Sequence, residues 1–339
     1  MALRKKEILE KTPAIIEEES LEAVVEGSEE VVETPQVIGA NEESIIKTVN
    51  EGKEAYLVEV KKQKRINLIV TITLIVVLIG AFGLLIGLSK TYEWITYVSL
   101  LIMIIATGGS FLFSRSSRKL LTKKAMAFMK LYFTQINKYI YNDANFKDVV
   151  TMPNEELKKD VFVNARFYKG IQATKSRNFV SSIYNNKKMV SCDIAGSILV
   201  KNKTSPMFLG KFIDIDNDYD KNFVILFQLK GKELSRPIDD TEGLKLVEGN
   251  NKYVIYTNDE QYKKILTKEV INALTSFKIN NRVIDVILSI RKGTTAIGID
   301  YSDEFINIPI DGNFDIHNTF KAKEDLNKVL KIINAIKFK

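Results

Sequence analysis

The chain has 339 residues, of which 49 are lysine or arginine and 42 are aspartate or glutamate, so its formal net charge is +7. It contains one cysteine, Cys192, and one histidine, His317. A single cysteine excludes an intramolecular disulfide. Zinc sites and nucleophilic triads usually use histidine or cysteine, so this composition also argues against them. We therefore expect no metal and no cofactor, and the length allows about two domains.

The positive charge is concentrated in two short segments. Residues 1–50 carry 5 basic and 12 acidic side chains and are net acidic. Residues 115–138 contribute +7 without an acid, and a second cluster contributes +4 through Lys61, Lys62, Lys64 and Arg65. Because so little of the excess lies elsewhere, it does not indicate a nucleic-acid-binding surface.

The N-terminal segment is acidic. Residues 12–46 contain ten glutamates and no lysine or arginine. Such a stretch repels itself and has no aromatic residues for a core, so residues 1–40 are predicted to be a disordered tail. Its small apolar pairs alternate with acids, which is typical either of an arm that folds on a partner or of a solubilising tail. Asn41 followed by two glutamates predicts a cytoplasmic helix over residues 41–65.

Two uncharged apolar runs follow, and they predict a transmembrane hairpin over residues 66–113. The first is INLIVTITLIVVLIGAFGLLIGL (66–88), and the second is WITYVSLLIMIIATGGSFLF (94–113). A helix of about 20 apolar residues crosses the hydrocarbon layer. Only five residues, 89–93, separate the runs. The chain must therefore turn straight back.

The flanking residues predict the orientation of this hairpin. Both basic clusters lie at its outer ends, and lysine and arginine accumulate on the cytoplasmic side of a membrane. The loop side carries aromatic rings that favour the opposite interface, namely Tyr92, Trp94 and Tyr97. We therefore expect a multi-pass protein of the cell (plasma) membrane with both termini in the cytoplasm.

Small residues in the two runs indicate close helix packing. Gly83 and Gly87 form a GxxxG pair, and Gly108 and Gly109 lie in the second run. Such residues serve either a homodimer interface or packing within the hairpin. Neither run contains an ionisable residue, which favours an anchor over a transport pathway.

Residues 114–142 are predicted to form a basic amphipathic helix. One face carries Leu121, Ala125, Phe128, Tyr132 and Ile136. This helix either continues the second membrane helix and buries that face against the soluble domain, or lies on the leaflet. In the second case anionic lipid headgroups would bind Arg115, Arg118, Lys119, Lys123 and Lys124. A further hypothesis is that this helix docks on the oppositely charged tail.

Residues 143–339 are predicted to form a cytoplasmic α+β domain with a mostly antiparallel sheet and flanking helices. From about residue 185, runs rich in Val, Ile, Phe and Tyr alternate with Asn, Asp and Gly turns. Residues 259–278 predict a helix, residues 282–301 a hairpin about Lys292 and Gly293, and residues 324–339 a closing amphipathic helix.

Four aspartates on alternate positions resemble the start of a calcium loop: Asp214, Asp216, Asp218 and Asp220. An EF-hand needs glycine at loop position 6 and glutamate at position 12, where this chain has Tyr219 and Ile225. The pattern favours a polar hairpin turn between two strands.

Three stretches of this region resemble a known family. They are FLGKFIDIDNDYDKNFVILF, GLKLVEGNNKYVIYTNDEQYKKILTKEVINAL and VIDVILSIRKGTTAIGIDYSDEFINIPI. They are similar to the bacterial membrane proteins grouped as domain of unknown function 3137, which share a two-span hairpin followed by a cytoplasmic domain. The aromatic-glycine-aromatic strand of that family matches Phe208, Gly210 and Phe212. Lys264 and Lys268 depart from its pattern, and the resemblance implies no catalytic residues.

The functional expectation is a non-catalytic, membrane-anchored interaction or scaffold module whose partners are the bilayer and other membrane or cytoplasmic proteins. One alternative is a binder of anionic lipid headgroups. The other is a hydrolase that uses carboxylates, with candidates Asp239, Asp240, Glu242, Asp259 and Glu260. His317 is predicted to lie in a polar loop, and Cys192 is predicted to be a small buried residue of a strand.

Overall fold

The computed structural model describes residues 42–87, 93–200, 203–219, 225–229, 243–277, 282–302 and 316–336. The predicted acidic tail, the connection between the apolar runs, and Asp239, Asp240 and Glu242 lie outside these residues. The chain divides into two compact units, one formed by Glu43–Tyr132 and the other by the residues from Phe133 onward. We call them the helical unit and the sheet unit.

The helical unit is an antiparallel pair of long helices, α1 (Glu42–Gly87) and α2 (Glu93–Ile140), the last turns of α2 belonging to the sheet unit. The rings of Tyr56 and Phe128 stack with centroids 5.5 Å apart. Farther along α1, Gly83 faces Ser99. These two contacts show that α1 and α2 run antiparallel. The buried positions of α1 are separated by 4, 7, 7 and 3 residues, which fits the seven-residue repeat of a coiled coil: Ile45, Val49, Tyr56, Gln63 and Ile66.

Helix α2 runs without a break from Glu93 to Ile140. The face predicted to pack on the soluble domain divides between two partners. Phe128 packs on Tyr56 of α1, within the helical unit, whereas Ile136 is fully buried in the sheet unit. The sequence did not predict this division. An apolar face predicts that one side of a helix is buried, but it does not identify the element that packs against it.

The sheet unit confirms the predicted α+β domain with a large antiparallel sheet and flanking helices. Within the described residues, nine strands, all paired antiparallel, lie in the order β1-β2-β3-β4-β9-β8-β5-β7-β6. Their bounds are β1 Phe146–Met152, β2 Ala173–Tyr184, β3 Lys187–Val200, β4 Lys203–Asp216, β5 Ile225–Leu229, β6 Lys245–Gly249, β7 Tyr253–Thr257, β8 Val283–Arg291 and β9 Thr294–Tyr301. The β8–β9 hairpin about Lys292 and Gly293 is as predicted.

Each face of the sheet has its own cover. Helix α3 (Lys159–Asn164) and the segment after it place Phe162 and Phe167 against Phe208 and Phe212 of β4. The opposite face lies under α5 (Ile316–Ala335), whose predicted apolar stripe is buried through Leu326, Val329, Leu330, Ile333 and Ile336. This packing buries both faces of the central strands.

Two helix predictions in the sheet unit need correction. Residues 259–278 are not one helix, since a 3₁₀ turn (Tyr262–Lys264) precedes α4 (Lys268–Thr275). Thr267 separates them because its side chain caps α4 by accepting a hydrogen bond from the Val270 amide. Helix α5 begins at Ile316, so the backbone of His317 is helical and not part of a loop.

The aspartate stretch is not a hairpin turn. β4 ends at Asp216, but β5 pairs with β7 and β8, and β9 and β8 separate it from β4 in the sheet. The residue after the strand, Asn217, donates side-chain hydrogen bonds of 2.9 Å to the Arg291 carbonyl and to Thr295 Oγ1. The end of β4 is therefore tied to the β8–β9 hairpin, a long-range pairing that the local pattern does not show.

Candidate functional site

The helical unit carries an apolar belt on its surface. Among the described side chains, eighteen large apolar ones are exposed on α1 between Leu68 and Leu85 and on α2 between Trp94 and Ile105, including Phe82 at 70% and Ile105 at 66%. Helix α1 is long and apolar enough to cross a membrane, and none of its most apolar stretch is buried in the protein. On α2, the apolar segment within the described residues is shorter, Thr96–Gly109.

A basic belt adjoins the apolar belt. The Ser117 hydroxyl donates a hydrogen bond to Gln63 Oε1, so the two basic clusters lie at the same level of the helix pair. The belt comprises eight exposed cations: Lys61, Lys62, Lys64, Arg65, Arg115, Lys119, Lys123 and Lys124. Of these described side chains, only that of Lys62 is paired with an acid, at 3.9 Å from Glu59. Arg118 belongs to the same segment of α2, but its side chain lies outside the described part.

The antiparallel register is what creates this belt. Lys61–Arg65 and Arg115–Lys124 are about fifty residues apart in the chain, yet the pairing of Gln63 with Ser117 brings them together. Gln63 is only 7% exposed, and its Nε2 donates to Asn67 Oδ1 at 2.9 Å. A buried polar layer of this kind fixes the register of paired helices. It was not anticipated from the sequence.

The glycines predicted to pack helices have different surroundings. A Cβ added to Gly83 would lie 2.7 Å from Ser99 Oγ, so Gly83 faces α2. Among the described residues, a Cβ added to Gly108 or Gly109 would meet no atom within 4 Å. These two glycines therefore face away from the partner helix of the same chain. The surroundings of Gly87 lie outside the described side chains.

The sheet unit holds a buried polar network on the α5 side. Lys211 and Asp193 lie opposite each other on β4 and β3, with Nζ 3.3 Å from Oδ1. Asn178 donates to the other carboxylate oxygen at 3.4 Å and accepts a 2.7 Å hydrogen bond from Asn137 of α2. The network thereby ties the last turns of α2 to the sheet.

Electrostatics explain why Lys211 keeps its charge in this network. Burial by itself lowers the pKa of Lys211, but the nearby Tyr141 and Asp193 outweigh it, so the pKa lies above its ordinary value. Tyr141 also shares a hydrogen bond with Ser191. Next to the network, burial and then Asp325 raise the pKa of Tyr301 well above normal. Lys211 and Tyr301 therefore both stay protonated at neutral pH, which suits a structural role better than proton transfer.

The cavities agree with a structural role. The space lined by Tyr141, Lys211 and Asp325 is about 10 Å³, which is at most one water molecule. A more open cleft of about 330 Å³ lies between Tyr184 and Asn334. The Tyr184 hydroxyl and the Asn334 side-chain amide are hydrogen-bonded to each other at about 3 Å, so both already have a partner within the protein.

Cys192 is not a nucleophile. Its side chain is fully buried, as predicted for a free cysteine in a strand. Burial raises the pKa of its thiol to about 12, more than the nearby Lys211 lowers it. The thiolate is the reactive species. The native protein therefore has no accessible thiol of its own.

The described residues give no support to metal binding. No group of three or more His, Cys, Asp or Glu side chains comes together among them. Asp214 accepts a hydrogen bond from Thr294, and Asp218 pairs with Lys187. Asp220 lies outside the described part.

The carboxylates of the hydrolase alternative are only partly described. Of the five candidates, Asp259 and Glu260 are described, and Asp259 Oδ1 accepts a 2.8 Å hydrogen bond from the Gln261 amide. This is a turn-stabilising role.

The chain matches no protein-family model, and neither the curated proteins nor the solved structures include a significant match. The resemblance to domain of unknown function 3137 thus stays a prediction, neither supported nor contradicted. Function has to be inferred from the belts and the sheet unit themselves.

Proposed function

We propose that this chain is a membrane-anchored protein in which α1 and α2 cross the bilayer as a hairpin and the sheet unit serves as a cytoplasmic interaction module. The observation that carries the proposal is the apolar belt of eighteen exposed side chains. Soluble monomers rarely expose a contiguous apolar patch of more than a few hundred Å². Lipid is the environment in which such a surface is stable.

The second crossing is supported by the register of the helix pair. Gly83 of α1 lies beside Ser99 of α2, and Gly80 lies beside Met103. The apolar part of α2 therefore packs alongside the apolar part of α1, so both would lie at the same level of the bilayer. The uncharged run on α2 spans residues 94–113 in the sequence, and about 20 residues suffice for a crossing.

The orientation follows from the two ends of the apolar belt. The basic belt adjoins the end that includes Leu68, and positive residues favour the cytoplasmic side. The opposite end carries Trp94 and Tyr97, exposed at 64% and 73%. Amphipathic rings favour the membrane interface. Both termini are therefore assigned to the cytoplasm of a cell membrane.

The sheet unit suits recognition better than catalysis. Within the described residues, its buried ion pair of Lys211 and Asp193 is held in a hydrogen-bonded network, and its thiol is buried. Its edge strand β6 exposes Leu246 and Val247 at 59% and 42%. Exposed apolar residues on an edge strand are typical of surfaces that bind another protein. The role proposed is that of a scaffold or interaction module.

The topology is tested by thiol labelling in intact cells. Ser89→Cys, in the connection between the helices, is expected to react with a membrane-impermeant maleimide at least about tenfold faster than Ser28→Cys in the tail, because only the connection faces outward. Buried Cys192 is expected to add no background. The protein should also remain in the membrane after a carbonate wash.

The matched control is to permeabilise the cells, after which Ser28→Cys should become as reactive as Ser89→Cys. Rapid labelling of Ser28→Cys in intact cells would reverse the orientation. Release of the protein by carbonate would rule out the hairpin crossing altogether.

A second candidate function, recognition of anionic headgroups, is favoured by the eight exposed cations of the basic belt. Each lysine or arginine near an anionic surface contributes about 1 kcal/mol. The full chain in nanodiscs of phosphatidylcholine and phosphatidylglycerol is expected to retain phosphatidylglycerol during purification. Replacing Lys119, Lys123 and Lys124 with glutamine should lower this retention at least about twofold. Equal retention by both proteins would exclude this role.

A further inference from the structure

We infer that the acidic segment 12–41 of the same chain docks on the basic belt and competes there with anionic lipid. The competition with lipid rests on the proposed membrane hairpin, whereas the docking itself does not. The belt is a single surface only because α1 and α2 are antiparallel, with Gln63 beside Ser117.

Charge complementarity identifies the occupant. The segment contains eight glutamates and no basic residue: Glu17, Glu18, Glu19, Glu22, Glu26, Glu29, Glu30 and Glu33. In the described part of the chain, the belt presents eight exposed cations, and among them only Lys62 is paired with a described acid. A polyanionic segment close to such a surface is attracted strongly at low and physiological ionic strength.

The tether places the acidic segment within reach of the belt. It joins α1 at Glu42, and Lys61 lies 19 residues farther along that helix, about 29 Å at 1.5 Å per residue. Glu30 is 12 residues before Glu42 and Glu17 is 25 residues before it, so extended chain reaches about 40–80 Å. All but the last part of the segment can therefore contact the belt.

The charges along α1 favour docking at its basic part, from Lys61 onward, over docking near the tether. The first part of the helix, residues 42–60, carries five glutamates and two lysines, so its net charge of −3 repels the segment. The sign changes at Lys61, where four basic residues occur within five positions. Attraction is therefore strongest beside the apolar belt, at the level that headgroups would occupy. A tethered anion and anionic lipid then compete for the same cations.

Zero-length crosslinking of the full chain tests this inference. A carbodiimide joins carboxylates to amines that are in contact, and mass spectrometry identifies the joined residues. In nanodiscs of phosphatidylcholine alone, glutamates 17–33 are expected to crosslink to Lys119, Lys123 and Lys124. About 0.5 M salt should reduce these crosslinks at least about fivefold, because it screens the attraction. Nanodiscs containing about 30% phosphatidylglycerol should reduce them similarly.

Two matched variants separate the belt from general positive charge. Lys61→Gln with Lys62→Gln and Lys64→Gln is expected to weaken crosslinking to the three α2 lysines, although these remain in place. Lys158→Gln with Lys159→Gln, which removes exposed cations from the sheet unit, should have no effect.

Several results would overturn the docking. The first is crosslinks that persist in high salt, and the second is crosslinks to Lys158 and Lys159 that are as frequent as those to the belt. The third comes from a mixture of isotopically labelled and unlabelled chains: crosslinks that always join two different copies would show that the contact is not made within one chain. Loss of the crosslinks in salt but not in phosphatidylglycerol would support docking and overturn the competition. The salt-sensitive crosslinks are also measured in detergent, where no bilayer is present. They should persist there even if the topology test fails, so the two failures are distinguishable.

Discussion

Replacing Lys211 with methionine is expected to lower the free energy of unfolding of the sheet unit by about 3–5 kcal/mol, because it leaves a buried carboxylate without its counterion. The side chains of Lys211 and Asp193 are only 7% and 9% exposed. Among the described partners of the carboxylate, the hydrogen bond of 3.4 Å from Asn178 would remain. Urea titration of the full chain in detergent, followed by pulse proteolysis, measures the loss.

The double variant Lys211→Met with Asp193→Leu distinguishes charge burial from packing. It removes both charges at once, and apolar replacements of a buried pair are often neutral or stabilising. The double variant should therefore be more stable than Lys211→Met alone. A pair with an exposed carboxylate serves as the control: Glu324→Gln removes a carboxylate that lies 2.8 Å from Lys328 and is 66% exposed, and it should change stability by less than about 1 kcal/mol. A loss in Lys211→Met no larger than in this control would show that the buried pair is not a stabilising contact.

Gly210→Ala is expected to destabilise the sheet unit by about 3 kcal/mol or more, because the added methyl has no space. A Cβ at this position would lie 1.8 Å from the carbonyl oxygen of Ile299 on the neighbouring strand β9. That atom is backbone, so relief requires β4 and β9 to separate at the Gly210–Asp300 pair. The reaction rate of Cys192 with a thiol reagent in increasing urea reports this opening, since the thiol is buried in the native sheet unit.

Gly249→Ala is the matched control on the edge strand β6. The nearest atom to its added Cβ would be Val254 Cγ1 at 3.5 Å, which is an ordinary contact. Its stability should stay within about 1 kcal/mol of the parent chain. If Gly210→Ala and Gly249→Ala behave alike, the close approach of β4 and β9 is not a requirement of the fold.

The parts of the fold predicted correctly are those with a strong local period. The stripe of α5 and the hairpin about Lys292 and Gly293 were visible because alternation and turn residues report burial within a few positions. Strands β1 and β2 were missed, since the sequence indicated strands only from about residue 185. In β2 many of the side chains are polar, from Lys175 to Ser182, and such a strand shows a weak alternation.

The candidate site divides in the same way. Each cluster of cations and each apolar run could be read from the sequence, because charge and hydropathy are properties of short segments. The network of Lys211, Asp193, Asn178 and Asn137 could not, as its members come from four different elements. No spacing in the chain marks them as neighbours.

By itself, the sequence determined that the chain has two apolar runs flanked by basic clusters and that an α+β domain with an antiparallel sheet follows them. Only the tertiary structure decided which surfaces are covered: that α1 packs on Phe128, that two basic clusters form one belt, and that β9 and β8 lie between β4 and β5. The physical reason is the range of the interactions. Hydropathy and helix periodicity act over a few residues, whereas strand order and helix register are set by contacts between residues far apart in the chain.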